Sequence, residues 1–403
     1  MPDADQIVPL LHALLAGTVE PEALDPWCPE HLGVTLGRHT VDILSATHTP
    51  IRYIQRLFTP ATELWHSHPA AADPDLILRC IALPRSHVAA LVQHVRAHAT
   101  GAARKVRMHV NAPATWYELS GCPALTPDPA PSIAPQIIAR HRTGYTVITC
   151  DDADASMNAA RHLREMGYRL AEDRGWVCFH ASAAILDGRG VLIPGNSGSG
   201  KSSLALALAT ADSGAFLAND RTLTACSPGR SPRAIALPSP IRLNGGTLHA
   251  LGLDQAADWN LTRSKPAHDT DWQSFRGDSK LHVLPAEWAE RTGTPLTAEA
   301  AVHAIVFPDI LPDSHALALD PLPPEETRKR LAAQCMSPHD DVYTDDWLDT
   351  RSSLITDLTR TASHVLDTLA QLTAFTLHFG TDTPYADVTA AVHRHLATPM
   401  TRS

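Results

Sequence analysis

The chain has 403 residues, enough for two or three domains and a sizeable buried core. Hydrophobic residues make up 44% and charged ones 19%, unlike a disordered chain, and the net charge of -10 argues against a nucleic acid as the main partner. No run reaches the about eighteen apolar residues of a membrane span, Met1 to Gln6 is acidic, and the seven cysteines form no C-x-x-C pair, so a cytoplasmic protein without membrane contact is expected.

Apolar recurrence at Ile7, Leu10, Leu11, Leu14 and Leu15 predicts a first helix. Val41 to Leu44, Leu76 to Leu83 and Val106 to Val110 read as strands, and Ile51 to Phe58 and Val88 to His98 as helices. His66-Ser67-His68, the tight pair among 23 dispersed histidines, reads as a loop before Pro69, and no further ligand spacing makes it a metal site. Pro123, Pro127, Pro129, Pro131 and Pro135 disfavour helix and central strand alike and so mark a linker. No catalytic constellation precedes that linker, and residues 1–135 are expected to be a small α/β accessory module.

Tyr145 to Cys150 is a predicted strand, and Asp154 to Leu170 a helix with Asp154 as its cap. Trp176 to Leu186 follows as one buried strand, which Asp187-Gly188 turns back in a hairpin. The returning strand, Val191 to Pro194, runs into Gly195-Asn196-Ser197-Gly198-Ser199-Gly200-Lys201-Ser202-Ser203 and then into the apolar run Leu204 to Ala209. Strand, G-x-x-x-x-G-K-S loop and helix together make a Walker A phosphate loop. Its glycines let successive N–H groups turn around phosphate oxygens at the positive end of the helix. Lys201 is placed to reach the β- and γ-phosphates of ATP, and Ser202 to ligate Mg²⁺. Gly214 to Asn219 is an apolar strand ending at Asp220, a Walker B position for the same ion, and its short spacing from the loop allows the two strands to be neighbours.

Here the sequence resembles a known family. His180 fifteen positions before Gly195, the glycine loop, and Leu217-Ala218-Asn219-Asp220-Arg221 resemble the catalytic domain of HPr kinase/phosphorylase and its relatives, which include kinases that phosphorylate lasso peptides. The loop is similar, more distantly, to that of phosphoenolpyruvate carboxykinase. The resemblance is specific over residues 140 to 225 and diffuse beyond. It implies an α/β P-loop kinase domain over residues 136–403, a nucleoside triphosphate and Mg²⁺ as cosubstrate and metal, a hydroxyl acceptor on a small molecule or peptide, and a homo-oligomer. Asp220 matches the second Asp of the family's Asp-Asp pair. Asn219 replaces the first, so the base falls to Asp220 or His180, or little base assistance is needed. His180 also reads as a core residue beside Phe179.

Ala234 to Leu243 reads as a strand followed by a polar turn, and its Arg242 either neutralises transferring phosphoryl charge or pairs with a surface carboxylate. Residues 252–280, with Asp254, Asp258, Asp269, Asp271, Asp278 and Lys280, have the polar, irregular character of a lid or acceptor pocket. Val302 to Pro308 is a core strand, Pro324 to Cys335 a helix, Asp340-Asp341 and Asp345-Asp346 solvated acidic features, Thr373 to Gly380 a strand and Ala386 to Leu396 a last helix. The expected function is ATP- and Mg-dependent phosphorylation of a hydroxyl. A nucleotide-binding regulator and an ATPase without phosphotransfer are the alternatives, the first motivated by Asn219.

Overall fold

The computed structural model describes residues 3–71, 73–108, 112–129, 134–151, 155–253, 280–312, 314–338 and 345–397. Val110, Pro131, the cap Asp154, the acidic residues between 254 and 279, and Asp340-Asp341 lie outside them. The chain divides into two compact units, Met1–Leu170 with Asp341–Arg351, and Ala171–Asp340 with Ser352–Ser403. Both are mixed α/β, and no described helix is long and apolar enough to cross a membrane. All seven cysteines are free thiols.

The first unit runs α1 (Ala4–Leu15), a 3-10 turn (Pro21–Trp27), β1 (Glu30–Leu36), β2 (His39–Ser45), α2 (His48–Leu57), β3 (Trp65–His68), β4 (Leu76–Leu83) and α3 (Arg85–Ala97). It continues with β5 (Arg104–Met108), β6 (Ala112–Tyr117), β7 (Ala124–Pro127), β8 (Gln136–His141), β9 (Gly144–Cys150) and α4 (Ala155–Glu172), which crosses into the second unit. The strands form one sheet in the order β3-β1-β2-β4-β9-β8-β7-β6-β5, with β2, β4 and β9 parallel and the other neighbours antiparallel. Asp3 caps α1 by accepting from the Asp5 N–H at 3.0 Å. Ile7, Leu11 and Leu14 of α1 and Val88, Leu91 and Val95 of α3 recur at helical spacing and cover one sheet face with Leu44, Ile81 and Ile148.

Two expectations change here. His66-Ser67-His68 is strand, not loop, because β3 pairs with β1, and the alternating His66 and His68 rings lie 5.9 Å apart. The proline cluster is threaded through the sheet: Pro123 precedes β7, Pro127 ends it and Pro135 precedes β8, the strand-end positions where a missing N–H is tolerated. The division between units falls after Leu170 instead.

The second unit runs β10 (Val177–Phe179), β11 (Ala181–Leu186), β12 (Arg189–Pro194), α5 (Lys201–Ala209), β13 (Gly214–Ala218), β14 (Thr222–Ala225), β15 (Arg233–Ala236), β16 (Ile241–Leu243) and α6 (Gly245–Ala250). Then come β17 (Leu281–Val283), α7 (Pro285–Thr292), β18 (Glu299–Leu311), β19 (Leu317–Pro321), α8 (Pro324–Ala332), α9 (Ile355–Leu369), β20 (Thr373–Gly380) and α10 (Tyr385–Ala397). The main sheet has the order β10-β14-β15-β18-β12-β11-β13, with β20 added to β18 and β19 to β20, while β16 and β17 pair separately. The long β18 is its spine, paired with β15 at Glu299 to Ala301, with β12 at Val302 to Ile305 and with β20 from Ala304 onward. Asp187 and Gly188 both take positive φ, 50° and 71°, in the two-residue turn that the sequence predicts between β11 and β12.

Three strand expectations are corrected. The single strand Trp176 to Leu186 breaks at His180, where the N–H donates to the Gln334 carbonyl at 2.8 Å, so that β10 pairs with β14 while β11 pairs with β12 and β13. Pro238 and Pro240 split the strand expected over Ala234 to Leu243, sending β15 and β16 into different sheets. β13 is not the neighbour of β12, because the hairpin inserts β11 between them.

One sheet face is covered by α5 and α10 through Leu204, Leu208, Val388 and Val392, the other by α9 through Val365, Leu366 and Leu369. Every residue of α5 except Ser202 is buried, so the helix has no polar face and depends on complete enclosure. Leu206 is fully buried. Leu206→Ala is therefore expected to lower the unfolding free energy by about 2–5 kcal/mol, measured by denaturant titration.

Candidate functional site

Topology brings the candidate residues to one end of the sheet. β12 and β13 both run antiparallel to β11, so the C-terminal ends of β12 and β13 meet the N-terminal end of β11. The glycine loop follows β12, Asp220 follows β13, and His180 precedes β11.

The loop itself has the geometry that its glycines permit. Gly198 and Gly200 take φ of +86° and +97°, a region that side-chain-bearing residues rarely enter. A Cβ on Gly200 would stand 2.6 Å from Ile310 Cδ1. Gly200 caps α5 without a side-chain hydrogen bond, which leaves the first amides of the helix available to an anion. The Lys201 ammonium, on a residue only 6% exposed, folds back to donate to the Asn196 carbonyl at 2.8 Å. Burial, with Lys280 adding to it and Asp220 opposing, lowers its pKa to about 8.

Asp220 sits in a backbone conformation of φ 65°, at the centre of a tight turn closed by the Arg221 N–H donating to the Asn219 carbonyl at 2.7 Å. Its own N–H donates to Ser182 Oγ at 3.3 Å. The turn aims the carboxylate at His180, whose Nε2 lies 3.3 Å from Oδ1. Burial by itself would raise the Asp220 pKa. The His180 hydrogen bond and the charges of Arg221, His180 and Lys201 outweigh it and hold the carboxyl well below the usual range. Asp220 is ionised throughout the neutral range.

These groups line one cavity. Ser197, Gly198, Gly200, Lys201, Ser202 and Ser203 contribute its glycine-loop wall, and His180, Asn219, Asp220, Arg242, Asn244, Thr247, Lys280 and Ile310 the rest. Arg242 reaches it from β16, and Lys280 from the residue before β17. Burial and the neighbouring Arg242 lower the Lys280 pKa, with Asp220 opposing. Other sequence candidates lie off the lining. These are Gly195, Ser199 and Asn196, whose Oδ1 accepts from Gln334 Nε2 at 2.9 Å. The Ser203 hydroxyl is 2.7 Å from that of Thr247, tying α5 to α6. Sequence reasoning passed over Asn244, Thr247 and Ile310 as site residues; Asn244-Gly245-Gly246-Thr247, seen only as a polar turn, is the start of α6.

The residues fit a bound polyphosphate. Two side chains that line the cavity, Asn219 and Asn244, carry buried polar atoms with no hydrogen-bond partner among the described residues, which is costly unless a ligand supplies one. Among the described residues no group of three or more His, Cys, Asp or Glu is placed to hold a metal. Ser202 and Asp220 offer two oxygens beside the loop, a partial set of the kind that Mg²⁺ completes with water and phosphate.

No protein-family model matches the chain. No curated protein matches it either. Among solved structures, the HPr(Ser) kinase/phosphatase from Coxiella burnetii is similar over 54% of this chain and 95% of its own, with 11% identity and a TM-score of 0.27.

Two outcomes follow from the loop geometry. Gly200→Ala forces a side chain into positive φ against Ile310 and is expected to weaken ADP binding about tenfold or more by calorimetry. Gly229→Ala, at φ +71° in open space, serves as the control and leaves binding unchanged. Because Lys201 loses its proton near pH 8 in the free protein, nucleotide affinity is expected to fall as pH rises from about 7 to about 9.5, with proton uptake on binding at the upper end. Lys201→Met removes the part of that pH dependence due to Lys201 and leaves the part due to Lys280 in the same cavity; a pH profile unchanged by the substitution would refute the assignment.

Proposed function

We propose that the second unit, Ala171–Asp340 with Ser352–Ser403, carries a P-loop kinase of the HPr-kinase type, which transfers the γ-phosphate of ATP to a hydroxyl of a small molecule or peptide, with the first unit as an accessory module. The observation that carries the proposal is the convergence, in one cavity, of the open N-terminus of α5, the buried Lys201 ammonium and the His180–Asp220 pair. Phosphoryl transfer calls for little else: positioned positive charge on the phosphates, a metal held at one side, and an oriented acceptor.

The roles divide by chemistry. Lys201 and the amides of the loop hold the phosphates, and Ser202 and Asp220 hold Mg²⁺ directly or through water. When bound, Mg²⁺ would offset charge on the phosphate oxygens. The low pKa of Asp220 suits it to holding the ion better than to removing a proton. His180, hydrogen-bonded to that carboxylate, then assists the acceptor proton, and a loose transition state asks little of it. Arg242 adds positive charge on the far side of the cavity.

The test is transfer of label from γ-phosphate-labelled ATP with Mg²⁺ into small-molecule and macromolecular fractions of a source-organism lysate. Label in either fraction is expected, and Lys201→Ala should reduce it by orders of magnitude, about 10²-fold or more. Label in free phosphate alone would point to an ATPase, and binding without turnover to the regulator that Asn219 suggests. Near-normal turnover by Lys201→Ala would refute the assignment.

A further inference from the structure

Asn219 ends β13, one residue before the strained Asp220, and its side chain is not explained by the fold around it. The residue is only 4% exposed. Its backbone carbonyl is well held, accepting from the Arg221 N–H at 2.7 Å and the Ser239 hydroxyl at 3.2 Å. Yet neither Oδ1 nor Nδ2 has a hydrogen-bond partner among the described residues. Because both amide atoms are orphaned, exchanging oxygen and nitrogen does not change the conclusion. Leaving both unpaired in a buried site opposes folding, so the group is matched in a bound state instead.

The cavity that Asn219 lines also contains Lys201, Ser202 and His180. There the amide demands two different partners. Nδ2 only donates, so it needs an acceptor atom, and the ligand atoms expected beside Lys201 are phosphate oxygens, which are pure acceptors. Oδ1 only accepts, so it needs a donor, which a hydroxyl or water supplies. An ionised Asp at this position could do the second task but not the first, and it would place a further negative charge beside Asp220 and the phosphates. We infer that Asn219 recognises the terminal phosphoryl group of the nucleotide, donating through Nδ2 to one of its oxygens and accepting through Oδ1 from the attacking hydroxyl. Asn219 is thus a specificity residue for triphosphate over diphosphate, and a neutral orienting group for the acceptor. This inference rests on nucleotide binding at the loop of residues 195–203.

Calorimetric titration with Mg-ADP and with the non-hydrolysable β,γ-imido analogue of ATP tests it without any turnover. Asn219→Ala should weaken the analogue about tenfold or more while changing ADP affinity by about twofold at most. The melting temperature of the ligand-free variant should stay within about 3 °C of the parent, since no native hydrogen bond of this side chain is lost. If the alanine variant does not fold, Asn219→Leu fills the same space without either polar group and is expected to give the same split. Equal losses for both nucleotides, or no loss for either, would overturn the inference. Failure of the parent protein to bind either nucleotide would instead overturn the assignment of the loop and the inference with it.

Discussion

The constraint on which the second unit depends is the enclosure of α5. A helix with no polar face must be covered on all sides, yet its first residue is a lysine and its first amides have no partner within the helix. The flanks and C-terminal end are closed by the sheet, by α10 and by the Ser203–Thr247 tie to α6. Its N-terminus opens on a cavity, so positive potential from the helix, the ammonium and the loop is concentrated there. In a chain of net charge -10 this concentration is local, and it is what an anionic ligand would meet.

The remaining site groups are delivered by interruptions in strands. His180 occupies the break between β10 and β11, and Asp220 the tight turn after β13. Because β11 runs antiparallel between the loop strand and the Asp220 strand, the break at His180 falls at the same end of the sheet as the glycine loop and Asp220. The result is a short His180–Asp220 contact and a carboxylate kept ionised by its neighbours. Strain at Asp220 and unpaired amide atoms at Asn219 stand next to each other, a concentration of cost in two residues that binding can relieve.

How much of this could be read from the sequence varied with how local the signal was. The glycine loop, the Asp187-Gly188 turn and the helix after Lys201 are set by short-range chemistry and are present as expected. Asp220 at a strand end followed from the apolar run before it. The break at His180 was hidden because Trp176 to Leu186 is apolar on both sides of it, and the tertiary bond from His180 N–H to Gln334 decides the matter. Sequence reasoning assigned nothing to α9, whose threonine-rich stretch has modest helix propensity, although Leu358, Ala362, Val365 and Leu369 recur on its buried face. The prolines before residue 136 misled because Pro123, Pro127 and Pro135 stand at the ends of β7 and β8, strands that pair in succession with β6 and β9, where a missing N–H is tolerated. Arg242 and Lys280 meet only through pairing of β16 with β17, which no local pattern announces.

The central claim is that the loop of residues 195–203 is a polyphosphate site. A crystal structure of the protein with Mg²⁺ and ADP tests it most directly. The account predicts the β-phosphate within hydrogen-bonding distance of the Lys201 ammonium and of backbone amides between Gly198 and Ser202, with the metal beside Ser202. Nucleotide bound elsewhere on the chain, or a loop that closes on itself and admits none at saturating concentration, would contradict it.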